Sequence, residues 1–161
     1  MLTYIKGDLL AQRKGILVHG CNGTKLPAGG IAGLIFKKWP GAEAAHHYLL
    51  NQLNIDSPTE ALGLTSVFPV EEDNLEHPQL VIFNAITQSF PGSGSLSYSA
   101  IRDCCERLNE YASFYKYHCC KDIPIIMPKI GSGIAGGDWD IISQIIDETI
   151  SSEHEVVIYA L

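Results

Sequence analysis

A glycine-rich stretch near the carboxyl end of the chain, residues 131–137, constrains the fold more than any other feature. It holds four glycines in seven positions, follows an apolar run at 123–127 that predicts a buried strand, and precedes a helical pattern from Trp139 onward. Glycines allow positive φ angles and close approach of backbone amides, and a helix N-terminus adds unpaired N–H groups. The stretch therefore predicts a phosphate- or diphosphate-binding turn. A tight turn with nothing bound is the alternative, and the spacing is neither that of a Walker loop nor that of a dinucleotide fingerprint.

Two more glycine-rich loops follow predicted strands. The apolar run 16–19 opens into the loop 20–32, and the continuous apolar run 80–86, typical of a central strand, opens into the loop 87–97. Ligands of such sheets bind beyond the carboxyl ends of the strands. We therefore expect the three loops to converge on one crevice suited to an extended ligand such as a nucleotide.

The other elements alternate between strands and helices. We expect further strands at 2–5, 62–70 and 156–161, with a solvated turn at 71–74. Helices are expected at 30–38, 42–53 and 139–150, together with a long helix capped by Ser97 or Ser99. This order predicts an α/β protein, a three-layer α/β/α sandwich with a mixed central sheet.

Length and charge narrow the classes of function. At 161 residues the chain predicts a single domain over 1–161, and its net charge of −7 without a basic patch makes binding to a nucleic-acid backbone unexpected. No apolar run approaches the length of a membrane span, and the N-terminus lacks the features of a secretory signal. We expect a monomer with no membrane partner, in the cytoplasm or alternatively in the nucleus.

The cysteines indicate neither disulfides nor a metal. An odd number with two adjacent pairs is a poor disulfide framework, and no Cys-x-x-Cys or matching histidine spacing indicates zinc. We expect reduced, mostly buried thiols, no metal site and no cofactor. Cys21 can share a strand face with His19, but no cationic cluster indicates the lowered thiol pKa that a nucleophile needs. The five cysteines are Cys21, Cys104, Cys105, Cys119 and Cys120.

Several polar residues near the predicted element ends have two interpretations. Asp8 either caps a short segment or accepts a hydrogen bond from a ligand amine, and residue type favours the cap. Asp138 either caps the last helix or takes part in chemistry, and again the cap is favoured. His19, at a strand end, is by residue type alone an inert, hydrogen-bonded histidine. His46 and His47 have no partner motif, and we expect both to face solvent.

Taken in order, these motifs resemble those of the macro domains, a family of ADP-ribose-binding modules. The segment 7–9 (Gly-Asp-Leu) resembles the family motif whose aspartate accepts a hydrogen bond from the adenine amine. Asn22 with 28–31 (Ala-Gly-Gly-Ile) resembles the loop at the distal ribose and diphosphate, and 131–135 (Gly-Ser-Gly-Ile-Ala) resembles the second diphosphate loop. The resemblance covers essentially the whole chain. The ligand-binding residues that it implies are Asp8, Leu9, Asn22, Ala28, Gly29, Gly30, Ile31, Ala32, Gly131, Ser132, Gly133, Ile134, Ala135 and Gly136.

Within the family, the chain most resembles the small ADP-ribose-1″-phosphate phosphatases. The segments 19–22 (His-Gly-Cys-Asn) and 29–32 (Gly-Gly-Ile-Ala) match that branch, and its histidine is implicated in catalysis. The resemblance implies that the protein binds ADP-ribose or ADP-ribose-1″-phosphate and hydrolyses the phosphate, with His19 catalytic and Asp138 as its candidate partner. The alternatives are a glycohydrolase that removes ADP-ribose from proteins or nucleic-acid ends, and a module that binds ADP-ribose without chemistry.

The chain departs from two other branches of the family. Hydrolases that use a lysine and an aspartate would place them at Gln88 and Ala135, and the branch with an aspartate after Gly-Gly-Gly-Val would place it at Ala32. None of these functional groups is present. Removal of protein-linked ADP-ribose by those two routes is therefore not expected.

Overall fold

A mixed sheet forms the central layer of the protein. The computed structural model describes residues 2–54, 57–70, 79–119 and 122–160. Its strands are β1 (Leu2–Lys6), β2 (Gly15–Asn22), β3 (Thr65–Val70), β4 (Leu80–Gln88), β5 (Ile125–Met127) and β6 (Val156–Ala160). Within the described residues they form one six-stranded sheet in the order β1-β6-β5-β2-β4-β3. All neighbours pair in parallel except β3, which runs antiparallel to β4. The carboxyl ends of the five parallel strands therefore meet at one edge.

Helices cover both faces of the sheet. They are α1 (Gly30–Lys38), α2 (Pro40–Gln52), α3 (Tyr98–His118) and α4 (Trp139–Thr149). Successive residues of β2 alternate between two apolar clusters, because side chains along a strand point to opposite faces. Ile16 and Val18 pack in the cluster that contains α3 and α4, whereas Leu17 packs in the cluster that contains α1 and α2. The predicted three-layer α/β/α sandwich with a mixed sheet is confirmed.

Element boundaries differ from the sequence prediction where glycine or proline intervenes. The strand expected from Leu62 begins at Thr65, because Gly63 turns the chain with a φ of 84°. The strand expected from Ile123 begins at Ile125, after Pro124, which has no N–H to donate to a ladder. Helix α2 begins at Pro40 rather than at residue 42, since proline fits the first helical position. The turn predicted at 71–74 lies outside the described residues.

Two of the predicted helix caps are present. The Ser97 side chain accepts a hydrogen bond from the amide of Ala100 at the start of α3. Asp138 does the same for the amide of Asp140 at the start of α4. Within the part of the chain that the structure describes, no helix is both long and apolar enough to cross a membrane.

Candidate functional site

A cavity of about 530 Å³ opens where β2, β4 and β5 end. Its walls come from the segment after β2 and the start of α1, from one face of α2, from the end of β4 with the loop that follows, and from the loop after β5. The volume lies in the range of small-molecule sites. The predicted convergence of the three glycine-rich loops on one crevice is confirmed.

The structure brings most of the predicted ligand-binding residues into this wall and leaves others outside it. Asp8, Leu9, Ser132 and Gly136 do not line the cavity, and neither do the two predicted catalytic residues, His19 and Asp138. The predicted residues that do line it are Asn22, Ala28, Gly29, Gly30, Ile31, Ala32, Gly131, Gly133, Ile134 and Ala135.

The loop after β5 is folded so that unpaired amides lie at the cavity. Gly131 has a φ of 74°, and its carbonyl accepts from the amide of Gly137 at 2.7 Å, which closes the loop on itself. Within the described chain, the amides of Gly133, Ile134 and Ala135 have no hydrogen-bond acceptor. Successive amides that are free in this way form a concave site for an anion.

The first turn of α1 faces the same space. Gly29 is its N-cap and supplies no side-chain hydrogen bond, so the first amides of the helix are left for water or a ligand. Gly30 has a φ of 57°, and a Cβ atom there would lie 3.3 Å from Cδ1 of Ile134. The two glycine-rich loops therefore come close together in the cavity wall, and the positive end of the α1 dipole lies in the same wall.

The charge of the cavity wall is opposite in sense to that of the whole chain. The protein carries a net charge of −7, yet among the described lining residues there is no aspartate or glutamate. Lys129 is the one lysine or arginine in the described wall, and His46 and His47 add two imidazoles. The wall therefore favours an anionic ligand.

His19 lies inside the protein rather than in the cavity wall. It has no exposed surface, and its Nε2 donates to Oδ1 of Asn84 at 2.6 Å. The orientation of that amide is fixed, because Asn84 Nδ2 donates to the carbonyl of Ala42 and to Oγ of Ser66. Burial lowers the pKa of His19 to about 4, so the ring is neutral near pH 7. The ring of Phe36 stands edge-on to it, with centroids 5.4 Å apart.

Asp138 and Asp8 both act as caps. Asp138 is exposed at the start of α4, and its amide donates to the hydroxyl of Tyr98. Oδ1 of Asp8 accepts from the amide of Leu10 and begins a short 3-10 helix at Leu9–Ala11. The capping roles favoured by residue type are confirmed for both aspartates. Asp8 lies at the end of β1, on the same edge of the sheet as the cavity.

His46 contradicts the expectation that both helix histidines face solvent. It is 2% exposed and lies in the cavity wall, and His47 beside it is half-buried and lines the cavity as well. The cause is the buried stripe of α2, which runs through Ala42, His46 and Leu50 at spacings of four residues. Since that spacing is visible in the sequence, it was the signal that could have placed His46 against the sheet.

The hydrogen bonds of His46 leave one ring nitrogen unused. Its Nε2 donates to the carbonyl of Thr24 at 3.3 Å, while Nδ1 is buried and has no partner among the described residues. Burial is the largest influence on the pKa of His46 and lowers it from its ordinary value. The imidazole stacks on Phe36, with ring centroids 6.0 Å apart. His46, Thr24 and Lys129 are lining residues that the sequence prediction missed.

Cys21 lines the cavity as a buried thiol. Burial raises its pKa well above the ordinary range, and its Sγ lies 3.8 Å from Nε2 of His19. A thiol held in its protonated form is a poor nucleophile. Cys21, Cys104 and Cys105 are free and buried, so the expectation of mostly buried thiols is confirmed for the described cysteines.

Comparisons with known proteins agree with this architecture. No family model matches the chain. It is 35% identical to a 17.5 kDa protein of Enterobacteria phage T4, over 98% of this chain and 95% of that protein. It is 30% identical to an ADP-ribose 1″-phosphate phosphatase of Candida albicans, over 87% of this chain and 88% of that one. The structure of a macrodomain protein from Streptomyces coelicolor has a TM-score of 0.76 at 22% identity, covering 100% of this chain and 99% of that chain.

Proposed function

Because the chain belongs to the macro domain family, we propose that it binds ADP-ribose and hydrolyses the phosphate of ADP-ribose-1″-phosphate. In that reaction water adds to phosphorus, the bond from phosphorus to the 1″ oxygen breaks, and ADP-ribose and inorganic phosphate leave. The relative in Candida albicans that carries the name of this activity matches the chain over most of its length.

The observation that carries the proposal is the pair of amide-rich loops in the wall of one cavity whose described lining includes no carboxylate. Free amides at 133–135 and the first turn of α1 face the same space, and Lys129 adds a cation. A diphosphate is the ligand that uses both sets of amides at once. A ligand without negatively charged oxygens would leave these exposed amides to water and make less use of the site.

The ligand extends from this diphosphate site in two directions. Toward β1, Asp8 stands exposed at the same sheet edge, and its Oδ2 makes no hydrogen bond to a described residue. We assign this carboxylate to the adenine amine. Toward β2, Asn22 lines the cavity beside Thr24 and is assigned to the distal ribose. The 1″-phosphate then falls in the part of the cavity next to Asn22.

The catalytic roles of His19 and Asp138 stay predictions. His19 has no exposed surface and packs against the lining residues Phe36 and Cys21, and Asp138 caps α4 outside the cavity wall. In this conformation neither side chain contacts a molecule in the cavity. A role for His19 is then that of a positioning residue, which holds the end of β2 against β4 through Asn84.

A glycohydrolase that uses a lysine and an aspartate is disfavoured by the wall itself. Gln88 and Ala135 line the cavity at the two positions where those residues would stand. Neither side chain transfers a proton. The amide of Gln88 is moreover engaged, since its Nε2 donates to the carbonyl of Phe90 at 2.8 Å.

Two measurements on one preparation test the proposal. Calorimetric titration with ADP-ribose measures binding, and phosphate release from ADP-ribose-1″-phosphate measures turnover. Binding with release supports the full proposal, whereas binding without release favours a module that only recognises ADP-ribose or a hydrolase of another linkage. Failure to bind ADP-ribose overturns the proposal altogether.

A further inference from the structure

His46 and His47 form a pair of imidazoles in the cavity wall that the assigned roles do not use. Their ring centroids lie 5.8 Å apart on adjacent positions of α2, and both residues line the cavity. Among the described lining residues, only these two, Lys129 and the protonated thiol of Cys21 can change protonation state. The pair is therefore the only described imidazole contribution to the wall.

The unused nitrogen of His46 is the second observation. Since a backbone carbonyl can only accept, the bond to Thr24 requires a proton on Nε2 and leaves Nδ1 as a bare lone pair in the neutral ring. Nδ1 is buried with no described partner, and a buried polar atom of this kind is rare in folded proteins. A proton on Nδ1 would turn it into a donor while Nε2 stays protonated.

The position of the two imidazoles indicates which part of the ligand would contact them. Thr24, to which His46 is bonded, is held by Asn22: its amide and its hydroxyl both donate to Oδ1 of Asn22. The imidazoles therefore lie beside the residue assigned to the distal ribose. Lys129, by contrast, belongs to the loop after β5, and within the described chain it has no hydrogen bond with Asn22 or Thr24.

No carboxylate among the described residues lines the cavity beside His46, so the wall there does not repel an anionic group. His47 shares its helix, and the neutral His19 lies behind Phe36 on the β2 side. Against the lowering by burial, the charge of Glu43, one turn earlier on α2, raises the pKa of His46, and Glu43 does not line the cavity. Burial disfavours the imidazolium, whereas a phosphate dianion placed against the ring favours it. Binding of the anion and uptake of the proton would then support each other.

We infer that His46 and His47 form the subsite for a terminal phosphate monoester, in which His46 donates from Nδ1 and His47 supplies a second donor. The inference rests on the proposed binding of ADP-ribose and adds the two residues that distinguish ADP-ribose-1″-phosphate from ADP-ribose. It requires a small rotation of the His46 ring toward the cavity that the ring already borders. The diphosphate loops and Asp8 make no such distinction.

The test compares two ligands in four proteins: wild type, His46→Gln, His47→Gln and His154→Gln. His154 is the matched control, because it is a buried histidine bonded to Ser113 and lies before β6, away from the cavity. The dissociation constant for ADP-ribose comes from calorimetry. The value for ADP-ribose-1″-phosphate is its KM where phosphate is released and its dissociation constant where it is not.

We expect wild type and His154→Gln to prefer the phosphorylated ligand. His46→Gln and His47→Gln should each lose about tenfold to a hundredfold of that preference while keeping their affinity for ADP-ribose. Retained ADP-ribose binding also shows that a variant is folded. If His46→Gln does not fold, the ligand preference of His47→Gln, a substitution at a half-buried residue, tests the subsite.

A spectroscopic measurement separates contact from a structural role. In protein labelled with ¹⁵N at histidine and saturated with ADP-ribose, added inorganic phosphate should shift Nδ1 of His46 toward its protonated value and leave His154 unchanged. Equal preference for the two ligands in all four proteins, with ADP-ribose still bound, overturns the subsite but not the proposed function. Absence of ADP-ribose binding in wild type overturns both.

Discussion

His19 and Asn84 stand directly opposite each other in the β2–β4 pair and are joined by a hydrogen bond of 2.6 Å from Nε2 to Oδ1. Neither side chain has any exposed surface. Asn84 extends the connection to the carbonyl of Ala42 at the start of α2 and to Ser66 in β3. The pair thus connects β2, β4, α2 and β3 to one another in the interior, next to the cavity wall.

Replacing Asn84 by leucine should destabilise the fold. The substitution leaves the Nε2–H of His19 buried without a partner and removes one of the two donors to the carbonyl of Ala42, which also accepts the helix bond of α2. We expect this to lower the free energy of unfolding by about 2–4 kcal/mol. Urea denaturation followed by circular dichroism measures this. Gln144→Ala, at an exposed position of α4, is the control and should change stability by less than about 0.5 kcal/mol. A loss no larger than that of the control would show that the buried pair contributes little.

Stability should rise with pH across the window set by His19. The pKa of this histidine is about 4 in the folded protein against an ordinary value of 6.5, so the unfolded chain binds more protons between these limits. Acidification from pH 6.5 to 4 should therefore lower the free energy of unfolding, by at most about 3 kcal/mol from this residue, and stability should level off above pH 7. Burial also lowers the pKa values of His46 and His154, which adds to the same slope.

His19→Gln tests this assignment, since it removes one titrating group. Unfolding free energies measured at several pH values should show a shallower slope in the variant than in wild type. His118→Gln is the control, because His118 is exposed on α3. An unchanged slope in His19→Gln would mean that His19 does not titrate at the lowered pKa.

The features that the sequence predicted correctly depend on local chemistry. Ser97 and Asp138 were recognisable as caps because a short polar side chain before a helical pattern satisfies the first amides wherever the helix packs. The glycines at 131–137 were recognisable because the turn from strand to helix needs their backbone freedom. Convergence of the loops followed from the parallel order of the strands.

What the sequence did not predict depends on tertiary packing. The strand was expected to end at His19, but β2 continues to Asn22, so His19 lies within the strand, and its burial against Phe36 depends on how α1 packs on the sheet. The bare Nδ1 of His46 results from an anchor to Thr24, which is distant in the sequence. Lys129 enters the cavity wall because of the shape of one loop. Composition and periodicity contain none of these relationships.

Two glycines of the loop after β5 should respond differently to alanine. Gly131 has a positive φ, and a Cβ atom there would lie 3.1 Å from Cδ1 of Ile142, so Gly131→Ala should cost about 1–2 kcal/mol of stability. At Gly133, also in the cavity wall, a Cβ atom would meet nothing within 4 Å. Gly133→Ala should therefore keep wild-type stability and, where a diphosphate lies against this backbone, lose about tenfold in affinity for ADP-ribose. Thermal denaturation and calorimetry on both variants separate the two effects, and full affinity in Gly133→Ala would place the diphosphate elsewhere.

Lys129→Met should weaken the binding of ADP-ribose in a salt-dependent way. Lys129 is exposed and lines the cavity, so its attraction to a diphosphate acts through solvent and is screened by ions. We expect a loss of about three- to tenfold in affinity at low ionic strength that shrinks toward unity near 1 M salt. Lys14→Met is the matched control, because Lys14 is an exposed lysine just before β2, at the opposite edge of the sheet. Calorimetric titrations of both variants at three salt concentrations measure the effect. An equal loss of affinity in the two variants would indicate a response to net charge alone. A loss of affinity in Lys129→Met that does not change with salt would indicate that the side chain shapes the cavity wall rather than attracting the ligand.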